Sequence, residues 1–266
     1  MNTLKRLSSR TVWLLSIAIL GMVVAALDVR ILLWINPLKP LPVLDSFFNI
    51  YTDHCGPWVG IPLGVLGLSF AIRFFRKRTW WCNLAVLGFV FLATASRVFY
   101  SQGSERLVLL FAWPSLILAA WFLSRKDSIS LHKAERVALA ALLSLSLGGG
   151  LVTREMKQAF KRPRPLNPHY AFSEQIRGFE REYLTGKTSF PSGHSSSAWS
   201  MCIPLFLVYK GKKRYLFLLI AGLNSLSRVY LAVHFPTDVY VGALLGVASG
   251  FTANAIVFGT SLGKEP

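Results

Sequence analysis

The stretch KRYLFLLIAGLNSLSRVYLAVHFPTDVYVGALLGVASGFTANAIVFGT, residues 213–260, decides the fold. Its two apolar blocks, 213–233 and 238–260, each have the roughly 20 residues that a helix needs to cross the hydrocarbon core of a bilayer. Neither block alternates as a barrel strand does, and a spanning segment must satisfy its own backbone hydrogen bonds. Both are therefore predicted to be transmembrane helices, with Arg228, His234 and Asp238 close to the junction between them.

The rest of the chain follows the same pattern, with 53% hydrophobic and only 15% charged residues among 266. Such a composition is too apolar for a soluble domain. The predicted fold class is all-α, a polytopic transmembrane helical bundle with eight spans. These lie near residues 11–35, 57–75, 80–100, 106–124, 134–156, 195–210, 213–233 and 238–260. Residues 1–130 are interpreted as N-terminal membrane helices and 131–266 as the bundle that carries the chemistry.

Two features of this bundle leave alternatives open. The third and fourth spans flank a polar turn at 96–106, so a six-span core is the alternative count. Glycines at spacings of three or four in the second and last spans favour close helix contacts, although small residues alone would also explain them. They are Gly64, Gly67, Gly242, Gly246 and Gly250.

The orientation follows from lysine and arginine, which short cytoplasmic loops retain. Clusters at 5–10, 73–78, 125–136 and 210–214 all fall on one side of the eight-helix arrangement. That side is predicted to be cytoplasmic, which places segments 157–194 and 228–238 on the outer face of a bacterial inner membrane.

Several other classes of protein are excluded or disfavoured. The net charge of +17 does not indicate a nucleic-acid partner, because roughly half of the cations fall in cytoplasmic loops beside anionic lipid. Cys55, Cys82 and Cys202 lie far apart in the predicted topology, so neither a disulfide nor a metal site is expected. No cofactor is predicted, and the sequence does not indicate an oligomeric state.

The first polar segment is K-x6-R-P at residues 157–165. Pro163 and Pro165 should end the fifth span and present Arg164 from a stiff corner. A guanidinium fork and the Lys157 ammonium suit a phosphoryl group. A basic anchor at the membrane interface is the alternative, and the neighbouring cations Arg154, Lys161 and Arg162 are interpreted as such an anchor.

The second segment is P-S-G-H at residues 191–194, directly before an apolar helix. Gly193 permits close approach to an anion, Ser192 offers a hydroxyl, and the unpaired amides of a helix start bind phosphate oxygens. His194 would lie where it could protonate a leaving oxygen. A serine-rich helix cap explains this tetrapeptide equally well.

The third segment is S-R-x5-H-x3-D at residues 227–238. Arg228 near the end of an apolar helix is costly unless it faces a polar site or the interface. Asp238 in the first turn of the last helix could accept the imidazole N–H of His234, which leaves the other ring nitrogen free as a nucleophile.

In these three segments the chain resembles the type 2 phosphatidic acid phosphatase family, whose motifs recur in glucose-6-phosphatase, bacterial acid phosphatases and vanadium haloperoxidases. The resemblance covers mainly residues 150–245 and rests on eleven fixed positions. It implies a metal-independent reaction in which His234 forms a phosphohistidine, Asp238 orients it and His194 protonates the leaving group. It also implies that the phosphoryl oxygens are held by Lys157, Arg164, Ser192, Gly193 and Arg228.

The expected substrate is a lipid that carries a phosphomonoester or pyrophosphate headgroup. Undecaprenyl pyrophosphate, phosphatidylglycerophosphate, phosphatidate and lipid A remain open, as does phosphotransfer to a second lipid. A phosphate-solute transporter is the alternative from another class, and a haloperoxidase-like oxidase is disfavoured. Phe172, Ile176, Phe179 and Tyr183 recur at helical spacing, which predicts an amphipathic helix that either admits a lipid tail or packs over the bundle.

Overall fold

The computed structural model describes residues 9–36, 42–76, 105–126, 128–166, 170, 172 and 188–259. Within these ranges every regular element is a helix, apart from an isolated antiparallel bridge between Pro163 and Thr188. The all-α prediction is confirmed for this part of the chain. The third predicted span lies outside the described residues, and so does the amphipathic segment after Phe172.

The described residues form nine α-helices, a π-helical segment and a 3₁₀ turn. The first five are α1 (Ser9–Ala26), α2 (Asp28–Ile35), α3 (Pro42–Arg76), α4 (Glu105–Ser124) and α5 (Ile129–Ser144). A π-helical segment, Leu145–Val152, joins α5 to α6 (Thr153–Phe160). After it come α7 (Gly193–Val208), a 3₁₀ turn (Lys212–Arg214), α8 (Tyr215–Tyr230) and α9 (Pro236–Phe258).

Two of the described helices are long and apolar enough to cross a membrane, namely Ile129–Phe160 and Pro236–Phe258. The pair α1 and α2 meets the same criteria together, but it is bent by 71° at Leu27. The described residues thus provide two spans, or three if the bent pair forms one. The count of eight spans stays a prediction.

The chain divides into two compact units. The first contains residues 1–56 and 144–252, and the second contains residues 57–143 and 253–266. All three polar segments belong to the first unit.

Helices α7 and α9 of the first unit pack through the glycine stripe of α9. A Cβ atom at Gly242 would lie 2.5 Å from the Ser192 carbonyl oxygen, and one at Gly246 would lie 2.5 Å from that of Ser196. The same construction at Gly250 meets Ile203 at 2.6 Å. Only glycine permits this separation, so the predicted close contact is confirmed for the last helix.

The second unit contains a buried ion pair. Arg73 donates to Glu135 through Nε at 3.1 Å and Nη2 at 3.1 Å, and Ser69 donates to the same carboxylate at 2.5 Å. Glu135 is fully buried. A buried carboxylate with this many donors holds α3 against α5. In this unit Gly67 also packs closely, on Leu142, whereas nothing lies within 4 Å of a Cβ atom at Gly64.

Candidate active site

The three polar segments meet in the first unit. The Ser192 amide donates to the Asp238 carbonyl at 2.9 Å, which joins the second segment to the third. A Cβ atom at Gly193 would lie 4.0 Å from Lys157 Cε, so the first segment approaches the second. Lys157, Ser192 and Asp238, which are far apart in the sequence, thus lie in one polar region.

The first segment leaves its helix at a left-handed residue. Helix α6 ends at Phe160, and Lys161 has φ 45° and ψ 30°. The chain then runs extended beside the segment before the P-S-G-H motif, because the Ser189 amide donates to the Arg162 carbonyl at 2.7 Å. Lys157 Nζ donates to the carbonyls of Thr188 at 3.1 Å and Ser189 at 3.4 Å. The predicted helix end is confirmed, and Lys157 ties the two segments together.

The second segment starts α7 as predicted. Ser192 is the N-cap residue, and its hydroxyl oxygen accepts the Ser195 amide at 3.4 Å. Ser192 is completely buried, whereas His194 is exposed. The hydroxyl oxygen of Ser192 is therefore used by the cap, and the imidazole of His194 lies on the open side of the site.

The third segment begins with a Schellman turn that closes α8. The Val233 amide donates to the Arg228 carbonyl at 3.1 Å and the Ala232 amide to the Val229 carbonyl at 2.9 Å. Ala232 occupies the left-handed position of this turn with φ 52°. The His234 amide also donates to the Arg228 carbonyl at 3.1 Å, so a single turn fixes both motif residues.

His234 and Asp238 form the innermost pair. The Nδ1 atom of His234 lies 3.6 Å from Asp238 Oδ2 and 3.4 Å from the Ser189 hydroxyl. Ser189 donates to the same Asp238 oxygen, and the Phe235 amide donates to it at 2.8 Å. With both acceptors on the Nδ1 side, the ring favours the Nδ1–H tautomer and keeps Nε2 unprotonated. The 3.6 Å between His234 Nδ1 and Asp238 Oδ2 is longer than a hydrogen bond. The Ser189 hydroxyl, at 3.4 Å, is therefore the nearer polar partner of Nδ1.

Arg162 reaches the other oxygen of Asp238. Its Nη1 donates to Asp238 Oδ1 at 2.9 Å and its Nη2 to Asp28 Oδ2 at 2.6 Å. The guanidinium carbon also lies 3.8 Å from the centroid of the Phe235 ring. The interpretation of Arg162 as a membrane-interface anchor was wrong, because its charge is turned inward to two buried carboxylates.

Burial and the nearby cations lower the pKa values of both imidazoles. Burial lowers the pKa of His234 to about 4, and Arg164 and Arg228 add to this effect while Asp238 opposes it. Partial burial of the imidazole also lowers the pKa of His194, with further contributions from Arg228, His234 and the neighbouring cations. Because His194 is exposed, water moderates its shift. Both lowered pKa values favour neutral imidazoles at pH 7.

Four side chains of this site were missed in the sequence: Asp28, Arg162, Ser189 and Thr237. Asp28 carried a signal, since a carboxylate inside a predicted apolar span is costly unless it has a polar partner. Arg162 lies inside the first segment and Ser189 two residues before the second, but nothing in their spacing shows where their side chains point.

Comparison with known proteins supports the resemblance. Residues 137–261 match the family model described as the PAP2 superfamily. The chain is 44% identical over 61 residues to the bacitracin transport permease protein BcrC of Bacillus licheniformis, which covers 23% of this chain and 30% of that protein. It is 30% identical over 129 residues to lipid A 4'-phosphatase of Bacteroides thetaiotaomicron, which covers 44% of this chain and 53% of that protein. The matches thus span about half or less of these curated relatives.

A solved structure, LpxE of Aquifex aeolicus, aligns with 85% of this chain and 94% of its own at a TM-score of 0.45 and 22% identity.

Proposed function

We propose that this chain, whose residues 137–261 match the PAP2 superfamily model, is a membrane-embedded lipid phosphate phosphatase of that family. The observation that carries the proposal is the surroundings of His234. Its Nδ1 side faces Asp238 and Ser189, while Arg164 and Arg228 lie close enough to lower its pKa. A neutral imidazole with one oriented nitrogen, close to cations, suits nucleophilic attack on phosphorus.

The reaction would take two steps. His234 Nε2 attacks phosphorus, the bond to the leaving oxygen breaks, and His194 donates a proton to that oxygen. Asp238 then faces the positively charged phosphoimidazole and stabilises it. In the second step water attacks phosphorus, the P–N bond breaks, His194 takes the proton from water, and inorganic phosphate leaves.

The phosphoryl group would be held by charge and by helix-start amides. Lys157, Arg164 and Arg228 supply the positive charge on which phosphoryl transfer depends. Gly193, the first residue of α7, has no side chain to obstruct the approach of an anion to the amides there. The hydroxyl of Ser192 accepts at the cap, and its hydrogen remains available to a phosphoryl oxygen.

His194, the proposed general acid, must become protonated when the substrate binds. Partial burial and the neighbouring cations lower the pKa of His194, which favours a neutral imidazole at pH 7. A bound phosphoryl group offsets these charges and raises that pKa again. We therefore expect His194 to matter most when the leaving group is a poor one, such as an alkanol.

The finer assignments of topology belong to the same proposal. We propose a bacterial inner-membrane protein with eight spans, or six in the core alternative, with its site on the outer face. Residues 131–266 would carry the catalytic bundle and residues 1–130 the preceding helices. Positive loops on one side and apolar helices support this arrangement.

The substrate would be a lipid with a phosphomonoester or pyrophosphate headgroup. Undecaprenyl pyrophosphate, phosphatidylglycerophosphate, phosphatidate and lipid A all provide that chemistry. Transfer of the phosphoryl group to a second lipid instead of water would use the same site and the same intermediate.

Phosphate release in detergent tests the proposal. Wild-type protein, His234→Ala and the control His132→Ala are incubated with each of the four lipids in the presence of EDTA. We expect release by the wild type and the control, with a loss of more than about 10³-fold in His234→Ala. Full activity in His234→Ala would refute the mechanism, and dependence on a divalent ion would refute the metal-free assignment.

A trapping experiment tests the intermediate and separates the enzyme from a transporter. With p-nitrophenyl phosphate, whose leaving group needs no acid, His194→Ala should retain most of the first step and accumulate an alkali-stable, acid-labile phosphoprotein. A transporter would show neither phosphate release nor covalent label. Labelling that persists in His234→Ala would contradict the assignment of the nucleophile.

A further inference from the structure

The most unexpected feature of the site is a series of ion pairs from Asp28 through Arg162 to Asp238, which begins far from the motifs in the sequence. Asp28 lies at the start of α2, directly after the 71° bend between α1 and α2. It precedes residues 137–261, which match the family model. Its side chain nevertheless contacts the residues around Asp238, so an N-terminal helix contributes to the polar site.

Both carboxylate oxygens of Asp28 accept hydrogen bonds. Its Oδ2 accepts from Arg162 Nη2 at 2.6 Å and from the Thr237 hydroxyl at 2.7 Å, and its Oδ1 accepts from the Thr237 amide at 2.8 Å. Thr237 belongs to the first turn of α9, where a negative charge is favourable. Asp28 therefore caps the helix that carries Asp238 and holds Arg162 at the same time.

Arg162 divides its guanidinium between the two carboxylates. Nη2 binds Asp28, while Nη1 binds Asp238 Oδ1 and the Thr237 hydroxyl, the latter at 2.7 Å. Phe235 lies under the guanidinium plane and restricts its orientation. The two ends of the fork are thus fixed, and a lysine could not reproduce both contacts.

The geometry points to Asp28 and Arg162 as positioning residues that hold the Asp238 carboxylate in the plane in which it faces His234 Nδ1. Ser189 and the Phe235 amide hold Oδ2 on the imidazole side, and Arg162 holds Oδ1 on the opposite side. With both oxygens held, the carboxylate cannot rotate away from the imidazole. This inference rests on the proposed role of His234 as nucleophile.

The alternative is a merely structural ion pair between the N-terminal helix and the bundle. A structural pair would affect folding and leave the imidazole tautomer and the ratio of kcat to KM unchanged. The test therefore needs readouts that respond to the orientation of Asp238.

The first readout is independent of activity. ¹⁵N-histidine spectra of the full chain in detergent, with His234 assigned through His234→Gln, report which ring nitrogen is protonated. We expect the Nδ1–H tautomer in the wild type and in the control Arg154→Gln, and a mixture of tautomers in Arg162→Gln. An unchanged tautomer in a folded Arg162→Gln protein would overturn the inference, whether or not any lipid is cleaved.

The second readout is kinetic and uses dioctanoyl phosphatidate and p-nitrophenyl phosphate. Arg162→Gln should lower kcat by about 10- to 100-fold, the loss typical of a catalytic group displaced by about 1 Å, and leave KM within about threefold. Arg162→Lys should recover part of the loss, because it restores the charge but not the fork. An effect on KM alone would mean that Arg162 binds phosphate directly and would overturn the positioning role.

A double-mutant cycle tests the path from Asp28. If Asp28 acts through Arg162, Asp28→Asn should lower kcat less than Arg162→Gln, and the double variant should be no worse than Arg162→Gln alone. Fully additive losses would contradict this path. Asp28→Asn has nearly the same size as the wild type and keeps an acceptor for Thr237, which makes it the safer variant for folding. If the wild type releases no phosphate from any substrate, the proposed function fails, and the spectra still decide the positioning role.

Discussion

The packing of α7 against α9 predicts that a single methyl group at Gly242 damages both stability and catalysis. In Gly242→Ala the new Cβ atom would lie 2.5 Å from the Ser192 carbonyl oxygen and 3.2 Å from Ser195 Cβ. An ordinary contact begins at 3.4 Å, so α7 and α9 must separate by roughly 1 Å. Backbone, and not a flexible side chain, lies on the other side, so the collision cannot be relieved locally.

The magnitude follows from two known effects. Overpacking of a tightly packed interface costs about 1–3 kcal/mol, which corresponds to a decrease in Tm of roughly 3–10 °C for a chain of this size. Ser192 starts the helix that carries His194, and its amide donates to the Asp238 carbonyl. A displacement of about 1 Å there should lower the rate about 100-fold.

Gly222→Ala is the matched control, because nothing lies within 4 Å of a Cβ atom at that position of α8. Alanine is more favourable than glycine in a helix by about 1 kcal/mol, so this variant should be as stable as the wild type or more so, with unchanged activity. Both variants are compared by thermal unfolding in detergent and by phosphate release. If Gly242→Ala keeps the Tm and rate of the wild type, the close-packing argument is wrong.

Three further predictions concern other parts of the molecule. Ala232 occupies a left-handed position, so Ala232→Gly should raise the Tm by about 2–4 °C and keep activity, whereas Ala232→Val should lower the Tm; the same sign for both would contradict the turn geometry. The native pKa of His234 is about 4 and its unfolded value about 6.5, so the stability from this residue is complete above pH 6.5. Between pH 6.5 and pH 5 the protein should lose about 2 kcal/mol that His234→Gln does not lose, and parallel Tm profiles of the two proteins against pH would refute this. Glu135→Gln leaves the partly buried Arg73 without its counter-charge and should cost about 3–5 kcal/mol of stability with KM unchanged; an unaltered Tm would show that the pair contributes little.

Part of the site could be predicted because helix ends and caps depend on only a few neighbouring residues. The closely spaced Pro163 and Pro165 disfavour continuation of the preceding helix, and a serine followed by glycine before an apolar run caps the next one. The Schellman turn that fixes Arg228 and His234 is also local but was not predicted, because its left-handed residue is Ala232 and no glycine marks the position. These rules need no knowledge of the remote chain.

The relation of Arg162 to Asp28 could not be predicted in this way. Arg154, Lys161 and Arg162 are equivalent cations in the sequence, and only the tertiary structure decides that one of them faces inward. The same holds for Ser189, which comes within reach of His234 because the extended segment after α6 pairs with it.

Composition and motif spacing alone were therefore enough to predict a helical, apolar chain with three polar segments that carry cations, histidines and an aspartate. An apolar stretch, a proline or a glycine affects only the helix in which it lies or the adjoining turn. The local sequence is therefore enough to predict its effect. Hydrogen bonds between residues more than 100 positions apart depend on how helices pack, and that packing decided that Asp28 contacts Arg162 and Thr237 beside Asp238.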